Sequence, residues 1–420
     1  MDKICIKGQK ELYGEIKLSG AKNACLTLMP LSILTSETLK LSNVPNLSDI
    51  TTMRSLLKSL GCSINYCSQN NSLELETKKI TNHIADYDIV RKMRASILVL
   101  GPLLAREGNA SVSLPGGCAI GTRPINYHLY GLKKLGAKIS IKDGYVIAKA
   151  PNGLQGNTIV LPRISVGATE NLILSAILAK GKTVIKNAAQ EPEVQDLCNF
   201  LNIMGADIKG IGKKNITING VKKLKSVKYS IIPDRIEAGT FMVGALITKG
   251  KLRINNIITE HLQTPLKILK KMGAKIKIQK NYIIVDGKNS NLVPSKIQTK
   301  PYPGFPTDLQ AQFMCLFSLI KGKSYIEEKV FENRFMHVSE LNRLGAKIIV
   351  KNEYCKIEGV EKLIGAEIMA SDLRASVSLV LAGLVANGET KIDRIYHLDR
   401  GYEKIENKLN PCGANIKRID

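Results

Sequence analysis

Leu135-Gly136-Ala137-Lys138-Ile139 decides the fold, because the chain keeps rewriting it. The same positions read Leu60-Gly61-Cys62-Ser63-Ile64, Met204-Gly205-Ala206-Asp207-Ile208 and Met272-Gly273-Ala274-Lys275-Ile276. They return as Leu344-Gly345-Ala346-Lys347-Ile348 and Cys412-Gly413-Ala414-Asn415-Ile416. The glycines stand 75, 69, 68, 72 and 68 residues apart. Each follows an amphipathic run such as 262–272 and precedes a strand-like one. Each glycine is therefore expected just past a helix C-terminus, in left-handed backbone that only glycine adopts cheaply.

The first half of each unit repeats too. Apolar runs at 94–106, 171–180, 241–249, 311–321 and 375–387 end at Gly108, Gly181, Gly250, Gly322 and Gly388, and short strands follow. The run Ala95-Ser96-Ile97-Leu98-Val99-Leu100 is apolar all round, so these helices are predicted to be buried. A unit reads helix–strand–helix–strand with additional strands before the next helix. Its period exceeds that of ordinary solenoids, so each unit is a small α+β fold. Six units divide into two groups of three, and a cleft between the halves is the default ligand site.

Composition removes several function classes. The 420 residues, 44% of them hydrophobic, suffice for two or more domains. No apolar run reaches membrane-spanning length, and the start Met1-Asp2-Lys3-Ile4-Cys5 has no signal-peptide core. Nine cysteines without a CxxC pair, and five histidines without ligand spacing, argue for a reduced cytoplasmic setting without disulfides or metal. The net charge of +25 raises nucleic acid as a partner. The lysines are spread along the whole chain, however, tryptophan is absent, and no basic-aromatic cluster appears, so no nucleic-acid or membrane partner is expected. Neither GxxxxGK[ST] nor GxGxxG occurs.

Two features point to chemistry. Cys118 sits in Ser113-Leu114-Pro115-Gly116-Gly117-Cys118-Ala119-Ile120-Gly121-Thr122-Arg123-Pro124, where glycines loosen the backbone and a guanidinium lies five residues on. A cation beside a thiol tunes its reactivity, and Gly-rich loops commonly close over substrates. A strand at 110–114 is expected before this loop, and a helix after it with Pro124 near its first position. The second feature is the polar start of each apolar helix: Ser19 to Ala24, Arg91 to Ser96, Ser165 to Glu170, Pro233 to Ala238, Pro306 to Ala311 and Ser371 to Ser376. Helix N-termini favour anions, and Lys22, Arg94, Arg123, Arg334 and Arg400 suggest a ligand with phosphate or carboxylate groups. Ser19, Ser165, Asp234, Thr307 and Ser371 are each readable as plain N-caps. His128 reads as a hydrogen-bonded, semi-buried side chain on its helix. For Phe331-Glu332-Asn333-Arg334-Phe335 a surface turn is an equal reading, and for Asp399-Arg400-Gly401-Tyr402 a turn with a salt bridge is.

Together, Ser19-Gly20-Ala21-Lys22-Asn23, Met93-Arg94-Ala95-Ser96, Leu114-Pro115-Gly116-Gly117-Cys118 with Gly121 and Arg123-Pro124, and Phe305-Pro306-Thr307-Asp308 with Gln310-Ala311-Gln312 resemble a known family. So do Phe331-Glu332-Asn333-Arg334-Phe335-Met336-His337 and Asp372-Leu373-Arg374-Ala375. The sequence resembles, over essentially its full length, the enolpyruvyl transferases that act on UDP-N-acetylglucosamine. The resemblance implies a two-domain inside-out α/β barrel fold. One three-repeat domain would span 22–230 and carry the Cys118 loop. The other would combine 1–21 with 231–420 and carry Asp308, Arg334 and Arg400, with the active site in the cleft between them.

By the same resemblance the enolpyruvyl group of phosphoenolpyruvate passes to the sugar 3-hydroxyl, and phosphate leaves, without metal or organic cofactor or an obligate protein partner. Cys118 would be the proton donor and the site of a covalent adduct, and Asp308 the base. Lys22, Asn23, Arg123, Arg334 and Arg400 would bind phosphoenolpyruvate, with Lys22 and Arg400 also counted as catalytic. Asn23, Arg94, Arg123, Pro124, Ile125, Asn126, Tyr127, Arg163, Ile164, Ser165, Val166, Asp308 and Val330 would bind the UDP-sugar. Asn126-Tyr127 departs from the Asp-Leu found in many members. The sister enzymes that use shikimate 3-phosphate are the nearest rival reading.

Overall fold

A computed structural model describes residues 3–115, 121 and 124–419. Each of the six apolar runs forms a helix that is buried on nearly every side. They are Lys22–Leu28 continuing into the 3-10 turn Met29–Ile33, the turn Arg94–Val99 continuing into Leu100–Glu107, Val166–Ala176, Arg235–Ile247, Gln310–Phe317 and Leu373–Val385. Apolar residues on all faces leave such a helix no stable position but an interior. The expected runs at 94–106 and 171–180 thus resolve into a 3-10 start at Arg94 and an earlier helix ending at Ala176.

Six four-stranded sheets surround these helices, and all six share one topology. An edge strand runs parallel to its neighbour, and the remaining two pairings are antiparallel. Thr158–Val160 beside Lys182–Lys186, followed by Asn215–Asn219 and Asp207–Lys209, is one example. Within a repeat the buried helix feeds the second strand of this order. The amphipathic helix then leads through its glycine into a hairpin, and a last short strand passes to the next sheet. Alternation puts Leu39 and Leu41 inward with Leu73 and Leu75 opposite, while Lys40 faces out. Lysines on such outer strand faces account for part of the +25 charge.

The chain forms two compact units. The described residues 20–115 and 124–232 make an inserted unit, and 3–19, Gly121 and 233–419 make a host unit into which it is spliced. The inserted unit closes on itself when Lys228–Ser230 pairs in parallel with Leu39–Ser42. The host unit closes differently. Lys3–Lys7 lies between Glu389–Asp393 and Ile416–Ile419, and Tyr13–Lys17 pairs in parallel with Lys251–Asn255. Residues 3–17 therefore supply the strands that complete the sixth repeat.

All six repeat glycines have positive φ, from +92° at Gly136 and Gly345 to +106° at Gly61, as expected past a helix end. Three repeats add a side-chain clamp at the position three residues before that glycine. Asn202, Asn342 and Asn410 each bridge the backbone N–H and C=O of the strand residue six positions on, Ile208, Ile348 and Ile416. The same position holds Lys58, Lys133 and Lys270 in the other three. Among the described residues no helix is long and apolar enough to cross a membrane. The eight described cysteines are free thiols.

Candidate active site

The inserted unit presents the starts of three buried helices. Lys22–Leu28 has no side-chain cap, and its first residue, Lys22, is turned inward at 6% exposure while Asn23 faces solvent. Burying an ammonium group requires a partner, and Asp49 provides one at 3.2 Å from a first-turn position of Ser48–Ser59. The 3-10 turn that opens with Arg94 packs against the Lys22 helix, and Arg94 itself is half-buried. Ser165 caps the third helix by accepting the N–H of Ala168 at 3.4 Å, with Ile164 and Val166 half-buried and Arg163 exposed.

Beside it, Asn126–Lys134 begins after Ile125, so Pro124 precedes the helix cap rather than occupying the first helical position. Pro124 and Asn126 are exposed, Tyr127 is half-buried and Ile125 is buried. His128 is buried, and its Nδ1 accepts the Asn171 side-chain amide at 3.0 Å, which explains it as a structural residue. The strand expected at 110–114 is Asn109–Ser113. Cys118 and Arg123 lie outside the described residues.

The host unit holds a triad of charges around Asp308. Asp308 stands in the turn Thr307–Leu309 ahead of Gln310–Phe317. Its Oδ1 meets Arg334 Nη2 at 2.8 Å, and its Oδ2 meets Arg374 Nε at 3.3 Å. Both guanidinium groups are buried, at 6% and 3% side-chain exposure, against 26% for Asp308. The carboxylate is therefore the reachable member of the triad, oriented from both sides by groups that cannot leave cheaply. Arg334 also donates to Thr307 Oγ1 at 2.9 Å, and that hydroxyl donates to Glu328 Oε2 at 2.9 Å. Glu328 Oε1 accepts the N–H groups of Val330 and Phe331 and the Thr299 hydroxyl. One buried carboxylate thus ties the Val330 backbone to the Thr307–Asp308 turn. Arg334 is a buried anchor here rather than part of a surface turn.

Behind Asp308, Gln312 Nε2 donates to its backbone carbonyl at 3.1 Å and to Thr240 Oγ1 at 3.1 Å. The Thr240 hydroxyl is 2.7 Å from that of Tyr402. Arg400 ends the turn Ile395–Arg400 and is half-buried. Its charge helps push His397 below the ordinary imidazole value, after the larger effect of burial. Burial likewise drives His337 down to about 4, with Asp372 opposing and Arg334 reinforcing the shift, so this ring is neutral at physiological pH. The Asp399-Arg400-Gly401-Tyr402 stretch does carry a salt bridge, in which Asp399 pairs with Arg418 at 2.8 Å.

Three of the five expected caps are corrected. Asp372, not Ser371, caps Leu373–Val385 by accepting from Arg374 and Ala375. Ser19 and Thr307 spend their hydroxyls on Glu403 and Glu328 instead. Ser165 and Asp234 do cap their helices. Within the host unit Asp308 and Arg334 are in direct contact, Val330 joins them through Glu328, and Arg400 lies at the end of the turn Ile395–Arg400. Residue patterns missed Asp49, Glu328 and the pairing of Arg374 with Asp308. Asp49 and Arg374 each stand second in their helix, the one signal that marks them.

Chemically, the arrangement offers an oriented carboxylate that can accept a proton and several cations that can neutralise a small polyanion. Among the described residues no group of three or more metal-binding side chains comes together.

The family model for EPSP synthase (3-phosphoshikimate 1-carboxyvinyltransferase) matches residues 6–409. The chain is 52% identical over 421 residues to UDP-N-acetylglucosamine 1-carboxyvinyltransferase 2 of Carboxydothermus hydrogenoformans, covering 100% of both chains. It is 53% identical over 422 residues to UDP-N-acetylglucosamine 1-carboxyvinyltransferase of Pelagibacter ubique, again covering 100% of both. The enolpyruvyl transferase NikO from Streptomyces tendae superposes with a TM-score of 0.91 at 23% identity, over 99% of this chain and 98% of its own. An EPSP synthase from Acinetobacter baumannii superposes with a TM-score of 0.79 at 20% identity, over 100% of both chains. At those identities the two superpositions speak to the fold alone.

Proposed function

The chain belongs to the enolpyruvyl (1-carboxyvinyl) transferase family, and on that premise we propose that it moves the enolpyruvyl group of phosphoenolpyruvate onto the 3-hydroxyl of UDP-N-acetylglucosamine, releasing phosphate. This is the first committed step of peptidoglycan precursor synthesis. The observation that carries the choice of acceptor is the identity of 52–53% over the full chain with enzymes named for that acceptor. The reading requires residues of both units to act on one pair of substrates.

The reaction proceeds by addition and then elimination. The sugar oxygen attacks C2 of phosphoenolpyruvate and loses its proton to Asp308, while C3 takes a proton from Cys118 and becomes a methyl group. In the second step a C3 proton is withdrawn, the C2–O bond to phosphate breaks, and the double bond re-forms. Charge builds on the phosphate and carboxylate groups, so Lys22, Arg123, Arg334 and Arg400 are assigned there, with Asn23 at the reacting sugar. Arg94, Pro124 to Tyr127, Arg163 to Val166 and Val330 are assigned to the UDP-sugar. The Asp308 carboxylate, more open than both arginines that hold it, supports the role of base. No metal or organic cofactor enters the scheme, and the enzyme is assigned to the cytoplasm.

Phosphate release decides the acceptor. Incubated with phosphoenolpyruvate, the protein is expected to liberate phosphate with UDP-N-acetylglucosamine and not with shikimate 3-phosphate. Release with shikimate 3-phosphate alone overturns the assignment.

A further inference from the structure

Two hydrogen-bonded clusters of the host unit share one short segment, the helix Ile405–Leu409 with the residues just before it. In the first, Lys408 Nζ donates to Glu237 Oε1 at 2.6 Å and to Ser19 Oγ at 2.7 Å. The Ser19 hydroxyl donates to Glu403 Oε2 at 2.7 Å, and the Ser19 N–H donates to Glu237 Oε2 at 2.8 Å. The Ser19 carbonyl accepts the N–H of Asp234 at 2.9 Å. Every polar group of Ser19 is thereby engaged. In the second cluster Arg418 Nε donates to Glu406 Oε1 at 2.9 Å, and its two terminal nitrogens reach Asp399 at 2.9 and 2.8 Å.

Neither cluster contains a residue assigned to substrate, and both are expensive. The side chains of Glu237 and Lys408 are 4% and 18% exposed, and those of Glu406 and Arg418 are 11% and 22% exposed. Apolar residues of similar volume commonly stabilise such positions as well as or better than an ion pair does. What the ion pairs add is direction. Ser19 ends the first stretch of the host unit, and Lys22 follows three residues later. Gly20 between them has no room for a side chain, because a Cβ there would run into the Asn43 carbonyl oxygen. Ala21 in turn donates to the Ile232 carbonyl at 2.7 Å. Little slack therefore separates the Ser19 anchor from the Lys22 backbone. Asp399 is bonded covalently to Arg400.

We propose that the 403–408 segment is a shared positioning element, which through Ser19 and through Asp399 fixes the backbone that presents Lys22 and Arg400 to phosphoenolpyruvate. The inference rests on the function proposed above. One element then governs two cations, and disturbing either cluster weakens the same substrate.

Steady-state kinetics on the full chain test this with Ser19→Ala, Glu403→Ala, Glu403→Gln and Arg418→Met. We expect Ser19→Ala, Glu403→Ala and Arg418→Met to raise KM for phosphoenolpyruvate about tenfold while KM for UDP-N-acetylglucosamine stays within about twofold. Glu403→Gln keeps an acceptor for the Ser19 hydroxyl and is expected to restore most of what Glu403→Ala loses. A purely structural role would lower thermal stability without that split between the two substrates. Equal changes in both KM values, or none in either, overturn the inference alone when the wild-type enzyme is active. An inactive wild-type enzyme overturns the proposed function and the inference with it. Ser19→Ala and Glu403→Gln are small enough changes to keep the test open should Arg418→Met fail to fold.

Discussion

In the host unit Asp308 lies between Arg334 and Arg374, and Glu237 lies against Lys408. In the inserted unit the charges felt by the buried carboxyl of Glu170 are those of two further acids, Glu193 and Glu191. Burial, with those neighbours adding, pushes Glu170 up to about 8, and a hydrogen bond from Thr27 only moderates the shift. Asp196 rises to about 7, again chiefly through burial, with Tyr229 opposing and Glu193 adding. Units with the same sheet topology thus hold buried acids of two kinds, and the inserted unit holds both, since its Asp49 is paired with Lys22. In the host unit Asp308 and Glu237 are each matched with a cation and held in a fixed direction, although burial still raises Glu237 above the ordinary carboxyl value. In the inserted unit burial instead raises Glu170 above neutrality, so that it keeps its proton there, and brings Asp196 close to it.

That contrast makes the largest prediction one about turnover. Asp308→Asn is expected to lower the phosphate-release rate about a thousandfold, within the usual range for loss of a general base, and Glu170→Gln to change it less than about twofold. Comparable losses from both substitutions would erase the distinction between the two kinds of acid.

Next in size is stability. Arg374 is 3% exposed and faces a carboxylate, so Arg374→Met leaves Asp308 short of one partner. Urea unfolding is expected to show a loss of about 3 kcal/mol, the usual scale for breaking a buried pair. A loss below about 1 kcal/mol would mean that Arg334 alone suffices to hold the carboxylate.

The smallest effect depends on pH. A carboxyl whose folded-state pKa exceeds its unfolded value keeps its proton longer in the folded chain. For Glu170 the window runs from the ordinary 4.5 to about 8. Unfolding within that window releases a proton, so its stabilising contribution is complete below the window and declines as pH rises through it. Glu170→Gln removes this slope. Its advantage over wild type in urea unfolding should therefore grow by on the order of 1 to 3 kcal/mol between pH 5 and pH 8. Parallel stability curves would show that Glu170 titrates alike in both states.

The repeat was legible because its glycines are a backbone requirement. No other residue takes positive φ cheaply at Gly61, Gly136, Gly205, Gly273, Gly345 and Gly413 alike, so the pattern survives while the side chains around it vary. The buried helices were legible from their all-round apolar character. The closure of the host unit was not, because Lys3–Lys7 reads as an ordinary strand and nothing local names partners near residues 390 and 417. At the site, Arg334 was singled out as one of several cations suited to an anionic ligand, whereas the role of Asp308 came through a family likeness. Their contact, and the part of Arg374 in it, depend on packing between repeats that no local pattern encodes. Ser371 illustrates a finer limit. Two adjacent residues both suit an N-cap, and only backbone direction selects Asp372.

The borrowed strands of the sixth repeat also set an order of events during synthesis. Once residue 230 has left the ribosome, the inserted unit possesses every strand of its three sheets, including the closing pair with Leu39–Ser42. Lys3–Lys7 and Tyr13–Lys17, made first, must wait for Lys251–Asn255, Glu389–Asp393 and Ile416–Ile419. From residue 230 until residue 389 has emerged, Lys3–Lys7 is an unpaired strand tethered to a finished neighbour. Contacts so distant in sequence form slowly, and open edges are prone to wrong partners. The splice that yields two alike units thereby makes the host the late and vulnerable one, and its first strands the stretch most in need of protection on the ribosome.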